Sequence, residues 1–168
     1  GYLKTLKKGL YVSDSYLQRT ARGKYAEYMA NTLRFPSYIS LEYVLAKEAL
    51  IPEGVFAITS IAAKSSRTFR NFLGTFIFRN IKRKLFTGYR EEIWREKIIY
   101  RASRAKALFD FLYLKKLTNV KEEIITDLRI NWENFSADDF SEFKTYVMLS
   151  KSKKMIRILQ IIQTTYVS

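Results

Sequence analysis

The chain has no histidine and no cysteine, and those two absences exclude a large share of enzyme chemistry. Without imidazole or thiol there can be no Ser-His-Asp or Cys-His site, no zinc finger and no imidazole general base. Zero cysteine also fits a reducing compartment. Six glycines and two prolines in 168 residues leave little room for long linkers. No long apolar run occurs either: the longest weakly polar stretch, Gly54 to Ala63, contains Thr59 and Ser60 and falls far short of a membrane span. No signal peptide is visible. These features predict a soluble, cytoplasmic protein with no membrane partner.

The glycines are scattered singly, so neither a Walker loop nor a dinucleotide fingerprint is present. A nucleotidyltransferase needs Gly-Ser before a helix and then Asp-x-Asp for its metals, and the sequence has neither. A metal-dependent nuclease needs an acidic residue on one strand and Glu-x-Lys on the next. The single Glu-x-Lys, Glu142-Phe143-Lys144, follows Asp138 and Asp139 inside a predicted helix. Those carboxylates read as compensation of the helix dipole. No catalytic, cofactor-binding or metal-ligating set is expected.

What the chain does have is positive charge. Thirty Lys and Arg stand against 16 Asp and Glu, a formal net charge of +14. Between Lys64 and Lys106 there are 13 cations and three glutamates, a local excess of +10. Such an excess suits a polyanionic partner, because each neutralised phosphate releases condensed counterions; a merely basic, solvated surface is the plainer alternative. The candidate nucleic-acid-binding residues are Lys4, Lys7 and Lys8, then Lys64, Arg67, Arg70, Arg79, Lys82, Arg83 and Lys84. With 48% hydrophobic residues the chain can also bury one substantial core.

Along the chain, Tyr2 to Val12 reads as the last strand of a hairpin whose partner lies elsewhere. Arg22 to Leu33 has helical periodicity, with Ala26, Met29, Ala30 and Leu33 on one face. Phe35 precedes Pro36, which ends that helix near Arg34. Ser40 is placed to cap a new helix carrying Leu41, Val44 and Leu45 inward, stopped by Pro52 and Gly54. Val55 to Ile61 reads as a buried strand. Arg67–Phe72 and Thr75–Ile81 flank Leu73-Gly74 as a hairpin, with Phe76 and Phe78 on one face. Phe86 to Tyr89 reads as a turn and Lys97 to Arg101 as a short strand.

Ser103 is placed to cap a helix from Arg104 to Leu114 that is apolar nearly all round and so belongs in the middle of the fold. Its two inner charges, Lys106 and Asp110, are four residues apart. They form either a buried structural tie or part of a functional site. Helices beginning at Val120, after Ser136 and near Lys153 make up the last third, with Lys151, Lys153 and Lys154 read as a solvated basic turn. The fold class is therefore α+β: a small, mainly antiparallel sheet at residues 55 to 101, packed with helices, and a C-terminal helical layer.

Three stretches together resemble the AbiEi family of bacterial antitoxins. They are Pro36-Ser-Tyr-Ile-Ser-Leu-Glu42 through Leu50-Ile-Pro-Glu53; Thr59-Ser60 with Arg67-Thr-Phe69, Gly74-Thr-Phe76 and Arg79-Asn-Ile81; and Ala105 to Leu114. The resemblance spans roughly residues 3 to 115. The family pattern usually has Glu before the lysine at 106, where this chain has Ala105. It implies that residues 1–12 are the end of a winged helix's wing, whose recognition helix lies outside this sequence. Residues 13–168 would then be the antitoxin domain. The implied function is abortive-infection phage defence: a transcriptional autoregulator that binds the promoter of its own operon and counters a nucleotidyltransferase toxin. A degenerate nuclease and a basic RNA-binding module are the competing expectations.

Overall fold

The computed structural model describes residues 1–167. It opens with a hairpin: β1 (Leu3–Lys7) pairs antiparallel with β2 (Leu10–Ser13) around Lys8-Gly9. The expected lone strand is thus two strands, because Gly9, with φ at +81°, turns the chain between them. A short helix α1 (Asp14–Gln18) and the longer α2 (Arg22–Leu33) follow. Ala26, Met29, Ala30 and Leu33 of α2 are all buried, as their spacing predicts.

Past the cis Phe35-Pro36 bond come β3 (Ser37–Ile39) and α3 (Leu41–Lys47). The α3 helix ends before Pro52. Ala49 takes φ +54°, and the Leu50 amide returns to the Leu45 carbonyl at 2.8 Å, closing the last turn. The next strand, β4 (Ile58–Ala62), starts three residues later than the sequence reading placed it. Phe56, expected in a buried strand, is 98% exposed.

Then come β5 (Arg67–Asn71) and β6 (Gly74–Asn80), the expected hairpin, with Phe76 and Phe78 buried on one face. A second hairpin follows, β7 (Tyr89–Trp94) and β8 (Lys97–Ala102). The central helix α4 (Arg104–Leu114) has the predicted bounds, and the Ser103 hydroxyl accepts from the Lys106 amide. Its residues Ala105 to Leu112 are buried without interruption. The C-terminal region holds α5 (Val120–Glu122), which runs on as a wider turn over Glu123–Asp127, then α6 (Ala137–Ser150) and α7 (Lys153–Tyr166).

The fold is α+β. Six strands form one sheet in the order β5-β6-β4-β3-β8-β7. Three of its five pairings are antiparallel and two, β4 with β6 and β3 with β8, are parallel. Two strands of the sheet, β3 and β7, are absent from the sequence reading; β3 lies near the middle, so the sheet draws on residues before 55. Strand alternation gives it two distinct faces. Arg101 and Ile39 face α2, whereas Tyr38 and Tyr89 face α4. On α4's far side lie α6 and α7, with Phe143, Val147, Met155, Ile158 and Leu159 closing the core.

Candidate nucleic-acid interface

The hairpin β1–β2 leans against β5, where Asn71 Nδ2 donates to the Leu6 carbonyl at 3.1 Å. Between hairpin, α2 C-terminus and β5 lies an open groove of about 480 Å³ lined by Lys7, Lys8, Arg34, Lys64, Arg67 and the ring of Phe35. No carboxylate lines it. Among the described residues, none of these five cations pairs with an acidic side chain.

Each cation is placed differently. Lys7 Nζ donates to the Leu33 carbonyl at 2.9 Å, where a cation complements the negative end of α2. Arg34 is pinned by Ser65, through Nε to the carbonyl at 2.9 Å and through a terminal nitrogen to Oγ at 2.8 Å. Arg67 lies 4.6 Å over the ring of Phe69. Lys8 and Lys64 are exposed and have no such anchor. Phe35 is 59% exposed, a large ring left facing water at the groove.

A second open groove, about 700 Å³, is lined by Pro36, Ala63, Lys82, Arg83 and Phe86; Phe86 packs on Tyr38, which places this groove toward the α4 face of the sheet, opposite Arg67. Of the expected residues, the structure therefore gathers Lys7, Lys8, Lys64 and Arg67 in one groove and sets Lys82 and Arg83 in the other. It does not gather the rest. Lys4 bonds Asp14 at 3.0 Å and lies over Phe72. Arg70 and Arg79 sit opposite the Arg67 face of their strands, in register with Thr75 and Ile61. Lys84 reaches toward the Ser150 carbonyl at 3.4 Å. Sequence reasoning missed Arg34 and Phe35 as groove residues; the Phe-Pro step was read only as a helix stop. Lys154, read as part of a solvated turn, instead donates to the Tyr113 and Lys115 carbonyls at 2.8 and 2.9 Å and caps α4. Burial pushes its ammonium below the ordinary lysine value.

Lys106 and Asp110 are paired and fully buried. Lys106 Nζ also meets the Tyr38 hydroxyl at 3.1 Å, and Asp110 Oδ2 accepts from Tyr38 at 3.0 Å and Ser40 at 2.8 Å. Three rings, Tyr38, Phe109 and Tyr146, surround the ammonium at 5.1 to 5.6 Å from their centroids. Burial lowers the Lys106 pKa against the pull of Asp110, and burial raises that of Asp110 against its donors. Neither residue lines any of the five open grooves described for the molecule. The geometry is that of a closed tie between α4 and β3.

A second charged cluster centres on Glu27, 1% exposed, which accepts from Arg101, from Lys47 at 2.6 Å and from Tyr43 at 2.8 Å. Glu92 on β7 pairs with Lys24 and Arg101. Its neighbour Glu91 lies opposite Tyr100, and no carboxylate stands on the adjacent β8. Among the described residues, no group of three or more acidic side chains is arranged to hold a metal ion, and no helix is long and apolar enough to cross a membrane. Compared with known proteins, the chain matches no family model, no curated protein and no solved structure.

Proposed function

We propose that this chain is a non-catalytic, nucleic-acid-associated antitoxin and transcriptional autoregulator of the AbiEi type, acting in the cytoplasm against a nucleotidyltransferase toxin. The observation that carries the nucleic-acid part is the groove of five cations with no carboxylate in its wall. Cations held together without acidic partners repel one another, and a phosphate backbone relieves that repulsion while releasing counterions. The antitoxin part rests on the three sequence stretches that resemble the family. The groove adds affinity for nucleic acid without base preference.

The test is a titration of duplex DNA at several salt concentrations. Binding at low salt should fall steeply as salt rises, by about 0.9 log units of affinity per log unit of salt for each phosphate contacted. Affinity that ignores salt, or no binding at low salt, removes the nucleic-acid reading. Incubation with nucleic acid and magnesium or manganese should leave it intact; cleavage abolished by mutating a carboxylate would favour a nuclease. Co-expression with the nucleotidyltransferase encoded beside its gene should restore growth, and undiminished toxicity removes the antitoxin reading. The RNA-binding alternative keeps one specific support, the exposed Phe35 ring beside the cations.

A further inference from the structure

We infer that the groove between the β1–β2 hairpin and β5 is a site for unpaired nucleotides, holding a single-stranded phosphate backbone on Lys8, Lys64 and Arg67 and stacking a base on Phe35. This rests on the nucleic-acid reading above and narrows it to a class of ligand.

Two observations join here. The first is charge: Lys8 and Lys64 are exposed and unpaired with carboxylates among the described residues, and Arg67 is already oriented by its contact with Phe69. The second is the ring. Phe35 is 59% exposed and lines the same groove as Lys64 and Lys8. A base in a duplex is stacked on both faces and paired, so it offers that ring nothing. An unpaired base offers a free π-face of any identity, which is how aromatic side chains and basic tracks together hold single strands. The Phe69 ring is not a second platform, because Arg67 at 4.6 Å and Phe78 at 5.8 Å already use it. The site thus stacks one base and is charge-driven elsewhere.

Two neighbouring features fix the polarity of the groove's walls. Arg34, tied to Ser65, and Lys7, tied to the Leu33 carbonyl, hold positive charge in the wall without moving. A strand leaving the stacked base therefore meets the remaining cations of the groove wall, which holds no carboxylate.

The experiment compares labelled oligothymidylate, oligouridylate and a duplex of equal length by fluorescence anisotropy at one low salt concentration. Single strands of either sugar should bind more tightly than the duplex. Phe35→Ala should weaken single-strand binding roughly tenfold or more, the size expected of one lost base stack, while duplex binding stays unchanged. Phe35→Tyr should restore it, which also shows that the variant site is folded. Phe56→Ala, truncating an exposed ring that lies outside this groove, serves as the reference and should change nothing. Lys64→Glu should weaken single strand and duplex together. Equal or tighter duplex binding, or a Phe35→Ala variant that keeps the single-strand preference, overturns this site while leaving charge-driven nucleic-acid binding in place. Absence of all binding at low salt instead overturns the underlying nucleic-acid reading.

Discussion

The Ser40 hydroxyl donates to the Asp110 carboxylate at 2.8 Å, across 70 residues of sequence. That bond ties the end of β3 to the central helix, and it leaves α3 without a cap from its own Ser40. Thr59 of β4 takes over: its hydroxyl donates to the Ser40 carbonyl at 2.7 Å and accepts from the Tyr43 amide at 3.0 Å. Thr59→Val keeps the shape and strands both groups, so it should cost roughly 1–3 kcal/mol. Ser40→Ala leaves Asp110 with Lys106 and Tyr38 and removes one charge-assisted bond, at roughly 1.5–3 kcal/mol. Denaturant unfolding of the two variants checks both values. A neutral Thr59→Val would show that the borrowed cap contributes nothing.

This exchange of roles explains what the sequence could and could not disclose. The bounds of α2 and α4 were readable because their apolar spacing is long and continuous, and Ser103 caps α4 as its position predicts. Ser40 had the same local signature as Ser103, but its hydroxyl went to a buried carboxylate, a stronger acceptor interaction than a bond from a neutral backbone amide. Strand β7 was missed because it is an edge strand with only Ile93 and two aromatics among Arg and Glu. Its turn, Arg95-Glu96, takes positive φ at both residues with no glycine or asparagine to announce it. The groove was half legible. Its cations were visible as a local charge excess, and strand alternation sets Arg67 apart from Arg70 and Arg79, but only the approach of the first hairpin to β5 brings Lys7 and Lys8 beside Lys64 and Arg67.

Lys106 and Asp110 predict a strong non-additivity. Asp110→Ala leaves an ammonium enclosed by three rings and should cost roughly 3–5 kcal/mol. Lys106→Met leaves the Asp110 carboxyl buried with only two hydroxyl donors and should cost a similar amount. Changing both to Met should cost far less than the sum, because an apolar pair has no charge to desolvate. Thermal unfolding of the singles and the double closes the cycle. A double as unstable as the singles added together would show that the pair is uncoupled.

Glu27 predicts acid sensitivity of a defined sign. Burial alone would raise its pKa, but the Lys47 hydrogen bond, the Arg101 charge and the Tyr43 hydroxyl together bring it below the ordinary glutamate value. A carboxyl whose folded pKa is depressed contributes stability above its unfolded pKa, about 4.3, and loses it as pH falls through the folded value. Asp110, whose folded pKa is raised, contributes with the opposite sign. Glu27→Gln isolates the first effect. It should destabilise at neutral pH by the low end of roughly 3–5 kcal/mol, since Lys24 and Lys47 keep access to water. The gap between wild type and variant should narrow as pH drops below 4.3 or so. A gap independent of pH would mean that the Glu27 charge is not what Lys47 and Arg101 stabilise.

Gly88 predicts a steric link between the loop before β7 and the buried tie. Its φ is +77°, and a Cβ added there would meet Tyr146 Oη at 2.5 Å, Tyr146 Cζ at 2.7 Å and Lys106 Cδ at 2.9 Å. The ring of Tyr146 has little freedom to retreat, because its hydroxyl donates to Glu142 Oε2 at 2.6 Å and its face lies against Lys106. Gly88→Ala therefore carries two costs: roughly 1–2 kcal/mol for a side chain in the left-handed region, and roughly 1–3 kcal/mol for overpacking. The two are separable. In a Tyr146→Ala background the overpacking part should largely vanish and the backbone part should remain, so Gly88→Ala costs less there than in the wild type. Unfolding of the two singles and the double measures that difference. An undiminished cost in the Tyr146→Ala background would place the whole effect in the backbone, and a Gly88→Ala variant as stable as wild type would show that the loop yields without disturbing Lys106.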